Sequence, residues 1–286
     1  MDIEPILKAA EDLLNASIVA HKRAHGGYTP AVRLVCQTDK GNVFVKAGVT
    51  PLTAEFIRQE IATYRRQKGD FMPQFIAGDE EAETPILIIE DLSDYIWPPP
   101  WTTKGIDQVV EQVERMHGTP TELDGFKELH GPAKGQWEEV AKNPEPFLGL
   151  GLASNEWLDE TLPILIAREE QCSLQGQALC HFDIRSDNLC ITPNGAKIVD
   201  WNLACRGNPK LDLGFWLPSL EHEGGPQPEA ILPNAPEVAA WVAGFFAARA
   251  GLPEIPDAPF VRRVQKEQLS TALPWAIRAL GLRPQK

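Results

Sequence analysis

The chain runs to 286 residues, 43% hydrophobic and 23% charged, the composition of a globular protein with core enough for one large domain or two lobes. A formal net charge of −13 offers no basic face to the phosphates of a nucleic acid, and it favours a cation wherever a charged ligand is held by general electrostatics. No apolar run reaches about 18 residues, the start MDIEPILKAAEDLL is acidic and amphipathic, and the five cysteines (Cys36, Cys172, Cys180, Cys190, Cys205) form no CxxC, so no membrane span, secretory leader, disulfide framework or zinc site is expected and the location predicted is cytoplasmic.

Residues 3 to 14 place Ile3, Ile6, Leu7, Ala10, Leu13 and Leu14 at the spacing of an amphipathic helix. After Gly26-Gly27, AVRLVCQT and NVFVKAG read as β-branched strands joined by a turn at Asp39-Lys40-Gly41-Asn42. The segment VTPLTAEFIRQEIATYRRQKGD predicts a helix with Thr50 or Thr53 as cap, Pro51 near its start and Gly69 as its stop. A second strand group follows, TPILIIEDL being its most apolar part. From about Asp94 the pattern turns helical, in GIDQVVEQVERMHG and EVAAWVAGFFAARAG, and only a hairpin over 189–199 interrupts it. WPPPW at 97–101 reads as a stiff proline-rich connection. The class predicted is α+β in two lobes: residues 1–93, a small antiparallel sheet plus helix, and residues 94–286, larger and mainly helical.

Polar residues cluster where these rules expect core. His181, Asp183, Asp187 and Asn188 lie within HFDIRSDN, between the apolar-leaning GQALC and the strand-like LCI, and buried polar groups cost stability unless paired. Downstream, NLCITPNGAKIVDW carries Asn194-Gly195, a two-residue turn signal. A turn centred there sets Leu189 opposite Asp200 with Asn188 next in line, which brings an amide oxygen and a carboxylate together. That is a donor set suited to magnesium, which takes oxygen ligands and leaves room for phosphate. The spacing H-x-D-x-x-x-x-N followed by an Asp beyond a hairpin matches the phosphoryl-transfer arrangement of kinases, in which one Asp orients a substrate hydroxyl while an Asn and a second Asp hold metal.

The N-terminal lobe is consistent with the same arrangement. Lys46 ends the strand NVFVK, and the next helix puts Ile57, Glu60, Ile61 and Tyr64 on one stripe. A carboxylate on an otherwise apolar stripe wants a cation, so Glu60 is expected to pair with Lys46; Glu55, on another face, is the rival. The strand IIEDL is expected to seat an adenine through main-chain groups, at Glu90 and Leu92.

HFDIRSDN, VDWNLA and GNPKLDLG together resemble the aminoglycoside phosphotransferase family of protein-kinase-like enzymes, over roughly Gly26 to Leu217. The resemblance implies a two-lobed protein-kinase-like fold that uses ATP and Mg2+. It also implies roles: Asp183 as catalytic base, Asn188 and Asp200 as metal ligands, Lys46 on the α and β phosphates, and Asp212 as a brace for the catalytic loop. Arg185 would touch the γ-phosphate or form a salt bridge, for instance with Asp187 or Asp212, and His181 would bond main chain near Asp200. The sequence departs from the pattern twice: no G-x-G-x-x-G precedes Lys46, and Asn202 stands where many relatives carry an acid. APE at 235–237 is read as a helix start, with Pro in the first turn.

The partner expected is a small-molecule hydroxyl acceptor. Candidates for its pocket are Trp97, Trp101, Trp216, Glu221, His222, Glu223, Asp159 and Glu160, an acidic and aromatic set suited to an amine-bearing acceptor such as an aminoglycoside, amino sugar or choline-like alcohol. The contrasting reading is a non-catalytic nucleotide-binding scaffold.

Overall fold

The computed structural model describes residues 2–24, 26–27, 29–131, 135–256 and 258–284. In chain order the elements are α1 (Glu4–Leu14), β1 (Ile18–Arg23), β2 (Val32–Thr38), β3 (Gly41–Ala47), α2 (Pro51–Arg66), β4 (Phe75–Asp79), β5 (Ile86–Glu90) and α3 (Thr103–His117). There follow α4 (Phe126–His130), α5 (Gln136–Lys142), α6 (Glu145–Leu148), α7 (Asn155–Glu169), β6 (Ala178–Cys180), β7 (Leu189–Thr192), β8 (Gly195–Ile198), β9 (Cys205–Gly207), α8 (Pro209–His222), α9 (Pro236–Ala250) and α10 (Val261–Leu280). They divide into two compact units that are interleaved along the chain. The first comprises residues 1–98, 102–123 and 187–204, the second residues 99–101, 124–186 and 205–286. The linear split at 93/94 read from the sequence is a different division, because α3 and the β7–β8 hairpin belong to the first unit.

The first unit is built on an antiparallel sheet in the order β1-β2-β3-β5-β4. Strand side chains alternate between faces. One face, with Val32, Leu34, Cys36, Val43, Val45, Ala47, Ile86 and Ile88, packs against Ile6, Leu7 and Ala10 of α1. By the same alternation Arg33, Val35, Phe44, Lys46, Leu87 and Ile89 point to the other face. Helix α2 opens with a capping box: the Thr50 hydroxyl accepts the Thr53 N–H at 3.2 Å and the Thr53 hydroxyl accepts the Thr50 N–H at 2.9 Å. Thr50 is therefore the cap and Thr53 its reciprocal partner, while the helix ends at Gln67, ahead of the expected Gly69 stop. Its stripe of Ile57, Glu60, Ile61 and Tyr64 is buried.

Two turns share one mechanism, and in the first it moves the reversal from the expected place. In β7–β8 the register is Leu189↔Ile198 and Thr192↔Gly195, so the reversal centres on Pro193-Asn194 and not on Asn194-Gly195. The Thr192 hydroxyl accepts the Asn194 N–H at 3.1 Å and donates to the Gly195 carbonyl at 2.8 Å. The β2–β3 turn repeats this with Thr38, Lys40 and Gly41. Gly195 and Gly41 close the turns at φ 121° and 125°, a region that glycine enters freely. Leu189 therefore does not face Asp200; the Val199 N–H donates to the Asn188 carbonyl instead, at 2.8 Å.

The second unit is mainly helical and also holds a short β6–β9 pair, which the sequence reading did not include. Helix α9 is apolar nearly all round and is buried from Val238 to Gly244, as expected of a helix surrounded by others. It begins at Pro236, so APE is a helix start. The Trp137 indole donates to the Ala240 carbonyl at 2.8 Å, and Gly244 lets that ring approach: a Cβ there would lie 2.7 Å from it. No helix among the described residues is long and apolar enough to cross a membrane.

Candidate active site

Lys46, next to last in β3, lies on the sheet face that looks away from α1, and its ammonium donates to Glu60 Oε2 at 2.7 Å. Both groups are buried. The same ammonium pairs with Asp200. Burial pushes the lysine pKa down, but Asp200 and Glu60 more than offset this and hold it above its ordinary value. Burial raises the Glu60 carboxyl, and Lys46 opposes the rise. The other oxygen of Glu60 accepts the Trp201 N–H at 3.3 Å, so this carboxylate ties α2 to the residue that follows Asp200.

Asp200 follows the end of β8 in a left-handed conformation, φ 70° and ψ 55°, which Asp tolerates better than most side chains. The chain then makes a single 3₁₀ turn, Trp201–Leu203, with the Trp201 indole donating to the Ile198 carbonyl at 2.7 Å. Asn202 lies in that turn. With its amide oriented to satisfy both ends, Nδ2 donates to Asp200 Oδ1 at 3.2 Å and to the Asp200 carbonyl at 3.1 Å. The residue that departs from the family pattern thus holds the carboxylate in place. Asn188, buried before β7, meets the strand end at Val199. An amide oxygen and a carboxylate from the two sides of one hairpin foot would make an oxygen-only donor set, which fits magnesium and not a soft metal.

Glu90 and Leu92, expected to seat an adenine through main-chain groups, also make contacts within the chain. The Glu90 side chain pairs with Lys197 at 2.6 Å and accepts the Gln74 N–H at 3.0 Å, while its own N–H donates to the Gln74 carbonyl at 2.9 Å. The Leu92 carbonyl accepts the Trp97 indole at 3.1 Å and the Tyr95 N–H at 3.2 Å. Besides any main-chain role, the Glu90 carboxylate anchors the hairpin lysine.

Asp183 and Arg185 belong to the second unit. The segment before them is held by a buried carboxylate: Asp212, on α8, accepts the His181 N–H at 3.0 Å and the Phe182 N–H at 2.7 Å. Phe182 is left-handed at φ 60°, a strained state for an aromatic residue, and the two bonds to Asp212 hold it there. The next amide, that of Asp183, donates to His181 Nδ1 at 3.2 Å, so the neutral ring carries its proton on Nε2. The Arg185 guanidinium donates to Asp183 at 2.9 Å, a partner the sequence reading did not weigh.

Around the same loop the structure gathers some of the proposed pocket residues. Glu223 accepts the Ser186 hydroxyl at 2.6 Å and the Trp101 indole at 2.7 Å, and the Trp101 and Trp216 rings lie 6.0 Å apart. Glu221 faces Arg278 at 3.7 Å. His222, Asp159 and Glu160 are exposed, and Trp97 belongs to the first unit. Ser186 was not singled out in the sequence; nothing local signals a partner 37 residues away.

In the first unit a buried lysine on a five-stranded antiparallel sheet is held by a carboxylate of α2 and by one at the foot of the β7–β8 hairpin. The model of the phosphotransferase enzyme family matches residues 21–256, and the chain belongs to that family. No curated protein matches the sequence. Among solved structures, a spectinomycin phosphotransferase in complex with ADP and spectinomycin shares 12% identity at a TM-score of 0.63, covering 99% of each chain. A thermostable variant of the aminoglycoside phosphotransferase APH(4)-Ia, in ternary complex with ADP and hygromycin B, gives 11% and 0.58, covering 96% of this chain and 98% of its own. Choline kinase LicA from Streptococcus pneumoniae gives 14% and 0.56, covering 98% and 99%. The two-lobed kinase-like fold expected from the sequence is the fold of these proteins, and the family match makes the chain a phosphotransferase.

Proposed function

We propose that the chain transfers the γ-phosphoryl group of ATP, or of GTP, to a hydroxyl of a small amine-bearing acceptor. The observation that carries this reading is the buried lysine held by Glu60 and Asp200, a costly arrangement whose use is to present one fixed positive charge to phosphate oxygens. The neighbours in complex with ADP support the nucleotide, and spectinomycin, hygromycin B and choline as named for those proteins support an amine-bearing alcohol. Glu223 with Trp101 and Trp216 offers an acid beside aromatic faces, which suits a cationic acceptor.

In this reading Asp183 accepts the proton of the acceptor hydroxyl, and Arg185 holds its carboxylate until the γ-phosphate draws the guanidinium. Lys46 takes the α and β phosphates. Asn188 and Asp200 hold magnesium, which when bound neutralises charge on the phosphates. With the Glu90 N–H and the Leu92 carbonyl engaged within the chain, the Glu90 carbonyl and the Leu92 N–H are the groups left for an adenine edge. Exchange of Asp183 for Asn keeps size and removes basicity. The Asp183→Asn variant is expected to bind ATP as the wild type does and to lose about 10²- to 10⁴-fold in turnover; phosphorylation of an acceptor at the normal rate would reject the role.

A further inference from the structure

Resting on the nucleotide reading above, we infer that Arg33 is a second phosphate-binding cation, whose guanidinium stands in for the amide donors of the glycine-rich loop that this sequence lacks. Arg33 lies directly across the β2–β3 ladder from Lys46, and both side chains leave the sheet on the face away from α1. Directly opposed like charges in a sheet destabilise it, and Arg33 does push the lysine pKa down.

Lys46 is compensated by two carboxylates, but Arg33 is not. Its donors go to neutral oxygens: Nη1 to the Thr29 and Ala31 carbonyls at 3.1 and 3.2 Å, and Nη2 to the Thr29 hydroxyl at 3.2 Å. Among the described residues no carboxylate lies within ion-pair distance of it. A guanidinium carries five donors, so three such bonds leave capacity for phosphate oxygens.

The loop is built around this side chain. Gly27 sits at φ 76° against the guanidinium, where a Cβ would come within 2.5 Å of Arg33 Nη2. The glycine is needed for its backbone, and a side chain there would displace the guanidinium. Arg33 gathers the β1–β2 connection by its main-chain carbonyls and adds its charge beside Lys46. A triphosphate is the ligand that two adjacent cations on one sheet face fit.

The test is calorimetric titration of the full chain with ATP, ADP and adenosine, for the wild type, Arg33→Ala, Arg33→Lys and Lys46→Ala, with near-UV spectra to show that each variant is folded. Arg33→Ala is expected to weaken ATP and ADP by about tenfold or more, the loss of a charge-assisted contact, and to leave adenosine within about twofold. Arg33→Lys should fall between, because it keeps the charge and loses the fork. Equal weakening of ATP and adenosine would make Arg33 a scaffold of the loop and overturn the inference. Unchanged ATP affinity in Arg33→Ala, with Lys46→Ala weakened, would overturn it alone. A wild type that binds none of the three would remove the nucleotide reading as well.

Discussion

Glu60 shows how a single side chain ties stability to the site. It lies on the buried stripe of α2 and uses one oxygen for Lys46 and the other for the Trp201 N–H. Its removal leaves Lys46 in a nonpolar setting with Asp200 as its remaining anion among the described partners, and takes the Glu60 oxygen from the Trp201 N–H. Breaking a buried pair from one side costs about 3–5 kcal/mol, and Asp200 puts Glu60→Ala at the lower end, about 3 kcal/mol. Urea titration measures this directly, and a loss under about 1 kcal/mol would mean that Asp200 alone satisfies the lysine. This pair was legible in the sequence because helical periodicity assigns each residue of α2 to a face, and a carboxylate on the apolar face has few partners to choose from. The pairing of Arg185 with Asp183 was not legible, since a flexible cation among several acids within a few residues carries no period that selects one of them.

At the scale of elements, long-range caps are the part a sequence hides. Helix α5 has no side-chain cap of its own at Gly135; Glu169, at the far end of α7, accepts the Gln136 and Trp137 N–H groups at 2.7 and 2.9 Å. Burial pushes its pKa from 4.5 up to about 7, with Glu138 adding to the rise and the two amides and Arg249 opposing it. The folded state therefore binds this proton more tightly than the unfolded chain. Its contribution to stability is greatest below about pH 4.5, falls as the pH rises through 7 and is constant above. Relative to Glu169→Gln, which cannot titrate, the wild type is expected to lose at most about 3 kcal/mol between pH 4.5 and 7.5, read from urea midpoints across that range. A difference that stays flat or grows with pH would show the carboxylate to be charged throughout. The hairpins make the same point about legibility from the other side. Asn-Gly was the visible signal in TPNG, yet the threonine two residues before Asn194 fixed the register, as Thr38 does in TDKG. Turn type depends on which hydroxyl finds which amide, and a dipeptide rule does not encode that. β1 escaped notice for a plainer reason: IVAHKR is exposed along most of its length and has no alternation to read.

For the molecule as a whole, the interleaving of the units has a consequence that a linear two-lobe reading misses. The sheet unit is completed by residues 187–204, which follow in the chain only after residues 124–186 of the other unit. That late segment supplies Asp200 to Lys46 and the Trp201 N–H to Glu60. It also brings the fully buried Trp201 ring to within 5.7 Å of Phe71, the Ile198 N–H to the Phe71 carbonyl at 2.8 Å, and Lys197 to Glu90. Loss of a buried aromatic alone costs about 3–5 kcal/mol, against a total stability of about 5–15 kcal/mol for a domain. A fragment of residues 1–123 keeps all five strands and three helices, but its Lys46–Glu60 pair faces water and one wall of its core is gone. It is expected to retain helical and sheet signal in the far ultraviolet while losing the sharp near-ultraviolet spectrum and cooperative melting of a packed core. Joining residues 187–204 to it through a flexible linker should restore both. Cooperative melting of 1–123 by itself would show that the sheet, α1 and α2 suffice, and that the hairpin is an attachment to this unit and not a part of its core.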